Sequence, residues 1–226
     1  MSSIQSRPAD RRIALFDSLP ADLQKAVVNA TRRRRYIAGG VIYSQGSFGR
    51  EMYRIVSGAV RLYHLSDDGH EFVHAVYERG DCFGVSSLID GEPRAQMAQA
   101  QVDTVLEVLT LEAFNSIRMA DPAFDRALML MLIGDVRILI GRVNSVAFEP
   151  LPSRLAWRMI KIAQIDADGN HVATLSQAEL ASMVDASRQR VNTILRQFQA
   201  EGLVSLNYGT IIIKDRTRLA RKITKP

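Results

Sequence analysis

The chain has 226 residues, 47% hydrophobic and 23% charged, the composition of an ordinary soluble globular protein with room for one large domain or two smaller ones. No apolar run reaches the roughly 20 residues that cross a bilayer, residues 1–12 lack a signal-peptide core, and the single Cys82 excludes an internal disulfide and a four-cysteine iron–sulfur cluster, so a cytoplasmic location is expected. The net charge of +5 is uneven: residues 1–150 carry −1 and residues 151–226 carry +6, which places any polyanionic partner at the last third.

In chain order, Leu15, Phe16, Leu19, Leu23, Val27 and Val28 recur at helical spacing and predict a short helix over 13–31, with Pro20 starting a turn. From Arg32 to about Leu111 the texture changes to short β-rich runs such as "EMYRIVSGAVRLYHL" and "AQAQVDTVLEVLT". Turn signals at Gly39-Gly40, Gly46, Asp68-Gly69 and Gly80 break them, the spacing of a sandwich or barrel. Within it, "GDCFGVSSLIDGEPRAQMA" reads as a cup for an anion. Small residues Gly84, Ser86 and Ser87 precede an apolar turn, and Arg94 follows, so backbone N–H groups and one guanidinium would suit a phosphate. Arg94 pairing with Asp90 or Glu92 is the alternative.

Next, Met129, Leu132, Val136, Leu139, Val143 and Val146 step by 3 and 4 residues, the seam of a coiled coil. A helix from Asp121 to Val146 is predicted to pair with its copy in a second subunit, a core helix packing on the sandwich being the alternative. Gly134 and Gly141 weaken it by roughly 1 kcal/mol each. The prolines of "FEPLPSR" mark a domain boundary and the start of the next helix.

The last third holds two helices with legible starts. Ser176 with Glu179 is a capping box, Asp185-Ala186 is a turn, Ser187 caps the second helix, and Gly202 ends it. Two helices joined so closely predict a helix-turn-helix. Ser187, Arg188, Gln189, Arg190, Asn192, Thr193 and Arg196 crowd one face that carries no acid from Ser187 to Ala200. Arginine reads guanine, Gln or Asn reads adenine, and helix N-termini favour phosphate, so double-stranded DNA is the expected partner. Ser176 and Gln177, at the start of the first helix, join this set. "LVSLNYGTIIIKD" predicts a strand–turn–strand wing, with Lys214 near phosphates.

This order of parts is similar to the Crp/Fnr superfamily of bacterial transcription regulators, from Leu15 to about Asp215. "YIAGGVIYSQGSFGREMYRIVSGAVRLY" resembles the family's first roll strands, "GDCFGVSSLIDGEPRAQMA" its phosphate cassette and "LSQAELASMVDASRQRVNTILRQFQAEGLV" its reading head. The resemblance implies an α+β fold: a β-roll of the double-stranded β-helix or jelly-roll type over 1–120, a dimerisation helix over 121–147 and a winged helix-turn-helix over 148–226. It also implies a homodimer on a near-palindromic site, with RNA polymerase as a partner. A shift of the hinge near Ala147 to Pro150 would change the spacing of the reading helices.

Family contacts carry over unevenly. Arg188 matches the guanine-reading arginine of cyclic-AMP-responsive members, whereas their next glutamate is Gln189 and a further basic contact is Thr193. Gly84 and Arg94 match the phosphate-binding pair; the ribose-binding glutamate falls at Val85 or Ser86, the serine after the arginine is Ala95, and the adenine-touching hydroxyls fall at Leu139 and Ile140. Cyclic AMP is therefore not the expected ligand, leaving another small effector or none.

No catalytic residue is assigned. "HEFVH" (His70 to His74) matches a zinc peptidase motif, but in a strand its histidines lie about 13 Å apart, so no metal is expected. Cys82 reads as packing rather than as a redox or haem-ligand thiol, and Arg32 to Arg35, alternating along a strand, as a solvated or interface face. The other reading of the whole is a nucleotide- or anion-binding module whose last domain makes protein contacts.

Overall fold

The computed structural model describes residues 12–66, 71–207 and 209–223. They fall into two compact units that meet in sequence between Ile140 and Gly141.

The first unit opens with a 3-10 turn, Phe16–Ser18, and helix α1, Ala21–Asn29. The single helix expected over 13–31 is thus split: Pro20 is the N-cap of α1 with ψ 148°, and it has no N–H to carry a helix through. Two antiparallel four-stranded sheets follow. One orders β1 (Arg32–Tyr36), β8 (Thr104–Thr110), β3 (Glu51–Ser57) and β6 (Cys82–Phe83). The other orders β2 (Val41–Tyr43), β7 (Met97–Ala100), β4 (Ala59–Leu65) and β5 (Glu71–Glu78). Strand alternation sorts the side chains. Tyr53, Ile55, Leu106 and Val108 meet Val60, Leu62 and Ala98 between the sheets, while Met52 and Leu109 face a second core under the helices.

That second core is closed by α2 (Ser86–Asp90), α3 (Leu111–Ala120) and the start of α4 (Pro122–Phe148). Phe114 and Phe124, both fully buried, meet edge to face at 5.6 Å. Helix α3, capped by Thr110 accepting from the Ala113 N–H, is not anticipated from the sequence. Helix α4 buries Phe124, Ala127, Leu128, Met131 and Gly134. A Cβ at Gly134 would lie 3.1 Å from Ile13 Cγ1, so glycine lets the N-terminal segment press on this helix. Of the expected seam, Met129, Val136, Leu139, Val143 and Val146 are exposed; only Leu132 packs partly against the unit's own core.

The second unit contains α5 (Leu151–Ile162), β9 (Gln164–Ile165), β10 (His171–Thr174), α6 (Gln177–Met183), α7 (Arg188–Ala200), β11 (Val204–Asn207), β12 (Thr210–Ile213) and α8 (Arg216–Ala220). Its sheet runs β11-β12-β10-β9, so the wing is two strands of a four-stranded sheet rather than a lone hairpin. Tyr208, at the wing turn, lies outside the described residues. The core joins Leu155, Met159, Leu180, Val191, Leu195, Leu203 and Leu219.

Candidate nucleic-acid interface and effector cup

Local rules build the reading head. Ser176 Oγ accepts from the Glu179 N–H while Glu179 Oε2 accepts from the Ser176 N–H, completing the capping box of α6. Asp185 takes φ 50°, a left-handed conformation that turns the chain, and Ser187 Oγ then caps α7 through the Arg190 N–H. Val191, Ile194, Leu195 and Phe198 fasten α7 to the core at helical spacing. The opposite side leaves Arg188, Gln189, Arg190, Thr193 and Arg196 exposed. Arg188, Gln189, Asn192, Thr193 and Arg196 line one open cleft. Among the described residues, neither the Arg188 nor the Arg196 guanidinium has a hydrogen-bond or ion-pair partner.

Asn192 differs: it is half-buried and its Nδ2 donates to Gln177 Oε1 at 2.6 Å. Lys214 is exposed, whereas Lys222 pairs with Glu201 at 2.7 Å and Arg218 lies 4.0 Å from Asp215. Arg154, a position without a sequence signal, donates to the carbonyls of Glu149 (2.9 Å) and Val184 (3.0 Å), past the end of α4 and at the end of α6. It places a cation where the negative ends of helices lie.

The cup in the first unit is differently used. Arg94 is 4% exposed, and its Nη1 and Nη2 donate to the carbonyls of Gly84 and Glu51. Its Cζ sits 4.4 Å over the Tyr43 ring. Its Nε has no partner among the described residues. Gly84, at φ 80°, fits because a Cβ there would lie 2.8 Å from Arg94 Nη1; a Cβ on Gly49 would overlap the guanidinium carbon. The pairing of Arg94 with Asp90 or Glu92 does not occur: Asp90 Oδ1 instead accepts from the Glu92 N–H at 2.9 Å. Helix α2 is a short helix of five residues with no side-chain cap at its start.

Aromatic rings fill the space beside Arg94. Tyr53 and Phe83 stack at 5.1 Å, with Tyr43 and Tyr77 each about 6 Å from Phe83. Burial pushes the Tyr43 hydroxyl up to about 12. Burial also works against the charge of Glu51, yet hydrogen bonds from the Arg34 guanidinium and the Tyr53 hydroxyl hold its carboxyl below the usual carboxylate range. Two hollows still adjoin Arg94: a more open one of about 370 Å³, bordered by Ser47, Gly49 and Glu51, and a smaller one of about 120 Å³ toward α4. Met131, Leu132 and Asp135 of α4 line the smaller one. Leu139 and Ile140 are exposed and do not line it in the single chain. Val85 is buried in the helix-side core and Ser87 is buried, while Ser86 and Ala95 sit at the rim, exposed. Arg12 packs its Cζ 3.8 Å over the Tyr77 ring and lies 3.6 Å from both Asp81 and Asp135.

Cys82 is buried, and burial pushes its thiol up to about 12, the behaviour of a packing thiol rather than a reactive one. Glu71 of "HEFVH" lies in strand β5 and pairs with Arg61 at 2.8 Å; His70 lies outside the described residues. Among the described residues no cluster of His, Cys, Asp and Glu could hold a metal ion. Arg32 to Arg35 form the exposed edge strand β1, where Arg34 pairs with Glu51 and Arg33 with Glu107.

Two family models match this arrangement in order: a cyclic nucleotide-binding domain over residues 33–121 and a Crp-like helix-turn-helix domain over 153–222. The chain belongs to the Crp/Fnr family of DNA-binding transcription regulators. Among its Crp/Fnr relatives, the cyclic AMP receptor protein of Thermus thermophilus is 28% identical over 201 residues, covering 89% of this chain and 92% of the relative. A CRP-like cAMP-activated global transcriptional regulator of Mycobacterium tuberculosis is 26% identical over 216 residues, covering 93% and 96%. The solved structure of the c-di-GMP responsive global regulator CLP of Xanthomonas campestris shares the fold, with a TM-score of 0.75 at 20% identity over 86% of this chain and 99% of that one. No helix among the described residues is long and apolar enough to cross a membrane.

Proposed function

We propose that this Crp/Fnr regulator works as a cytoplasmic homodimer that inserts α7 of each subunit into successive major grooves of a near-palindromic site, with half-sites about 34 Å apart. The observation that carries this is the exposed, acid-free face of α7, whose Arg188 and Arg196 are committed to nothing else. The exposed row Met129, Val136, Leu139, Val143 and Val146 supports pairing of α4 with its copy. Ser176, Ser187 and Lys214 stand near the backbone-contacting edge in this reading, and RNA polymerase follows as a partner from the family.

For the roll, the reading is a sensor that no longer takes cyclic AMP in the family's cradle. Both terminal nitrogens of Arg94 donate to backbone carbonyls, Val85 and Ala95 supply no polar side chain, and aromatic rings crowd the space beside the guanidinium. Any effector would be another small molecule able to displace the aromatic filling, and none is required for the DNA-facing helix to form. Selection of bound duplexes from a random pool, without additive, with metabolite extract and with cyclic AMP, tests both parts. A two-fold symmetric consensus whose affinity falls steeply with salt is expected. Failure to enrich any sequence overturns the reading by α7, and a consensus that emerges only with added cyclic AMP overturns the closed cup.

A further inference from the structure

On the reading helix, one polar side chain is already held. The Asn192 Nδ2 donates to Gln177 Oε1 at 2.6 Å, joining two helices across 15 residues of sequence. Both residues are half-buried, whereas Arg188, Gln189, Thr193 and Arg196 are exposed. Gln177 is the first residue of α6, next to the capping box that fixes Ser176 and Glu179, and Leu180 one turn on is fully buried. The acceptor that grips Asn192 is therefore mounted on a rigid helix start.

An asparagine amide offers two N–H donors and one carbonyl acceptor. With one N–H given to Gln177, a donor and an acceptor remain. Adenine presents the complement in the major groove, an N7 acceptor beside an N6 amino donor. Gln189 offers the same pair of groups, but its side-chain amide has no partner among the described residues to hold it. An amide set in place before binding loses less rotamer freedom when it meets a base.

We propose that Gln177 is a positioning residue that determines specificity: it locks the Asn192 amide so that its remaining N–H and carbonyl read an adenine at one position of each half-site. Gln177, grouped with the DNA-facing residues by sequence alone, then acts through Asn192 rather than by touching DNA itself. The inference rests on the proposed reading of DNA by α7.

The test uses the full-length protein and the duplex enriched from a random pool. Affinities for that duplex and for every single-base-pair variant of one half-site are measured by fluorescence anisotropy for wild type, Asn192→Ala, Gln177→Ala and Gln177→Glu, with circular dichroism confirming the fold of each. Asn192→Ala is expected to erase a preference for adenine at one base pair. Gln177→Ala should reduce discrimination at that same base pair by roughly two- to tenfold and leave the others as they were. Gln177→Glu keeps the acceptor, so the preference returns although its negative charge weakens binding to every duplex. An even loss across all variants with Gln177→Ala, or none where Asn192→Ala has one, overturns this inference alone. A wild type without any base preference overturns the α7 reading and this inference together.

Discussion

Arg94 and Arg188 are the same side chain put to opposite uses. Arg94 is 4% exposed, its terminal nitrogens are bound to the chain's own Gly84 and Glu51 carbonyls, and Tyr43 covers its face. Arg188 stands exposed at the first turn of α7. A buried guanidinium keeps its charge only where fixed dipoles replace water, and the carbonyls that bind the two terminal nitrogens of Arg94 turn them toward the chain's own backbone. An exposed guanidinium keeps its water and exchanges it for a base edge or phosphate when one arrives. The lesson is that a family motif carries its residue type forward even where the surroundings have changed that residue's work.

The largest expected effect sharpens this contrast directly. Arg94→Ala should destabilise the first unit by about 2–4 kcal/mol, because two buried carbonyls lose their donors, and urea unfolding checks it. A change under about 0.5 kcal/mol would mean that Arg94 is held ready for a ligand instead. Arg188→Ala should leave stability unchanged and weaken specific DNA binding by about 1–3 kcal/mol in titrations against the enriched duplex. Equal weakening on all duplexes would make Arg188 a phosphate contact. Arg154→Ala should lower the stability of the second unit by about 1–2 kcal/mol, followed by thermal melting, since the Val184 and Glu149 carbonyls lose a shared cation.

A smaller effect follows acid. The Glu51 carboxyl ionises more readily in the folded chain than in the unfolded one, where about 4.3 is usual, so its stabilisation is complete above that pH and is lost as pH falls through the lower folded value. Glu51→Gln should flatten that part of the stability–pH curve measured by denaturant titration between pH 5 and pH 2, shown with wild type alongside. If the two curves keep the same slope, Arg34 and Tyr53 are not what holds the strand end beside Arg94.

The reading head was legible in the sequence because its signals are local: Ser176 and Glu179 are three residues apart, Ser187 caps its own helix, and Val191, Ile194, Leu195 and Phe198 mark one face. The cup was legible only as a list of residues. Gly84 and Arg94 do meet, but the partners that close the cup come from Glu51 and Tyr43, more than 40 residues upstream, and no local pattern joins them. The sequence pattern of Gln177 and Asn192 points both toward DNA, while their bond to each other depends on how two helices cross. The elements missed were short or polar. Strand β9 has two residues, β10 follows a turn in which Asp166 Oδ1 accepts from the Asp168 and Asn170 N–H groups, and α3 begins directly where β8 ends.

Strand β12 pairs on both edges, with Ile213 opposite Val204 on one side and opposite His171 on the other. A flap hinged along a single edge could swing alone; a plank nailed on two sides transmits a push. Pressure at the tip between β11 and β12 must therefore be felt by β10 and by the Asp166 corner, and a proline in the middle of β12 would unzip two ladders at one stroke.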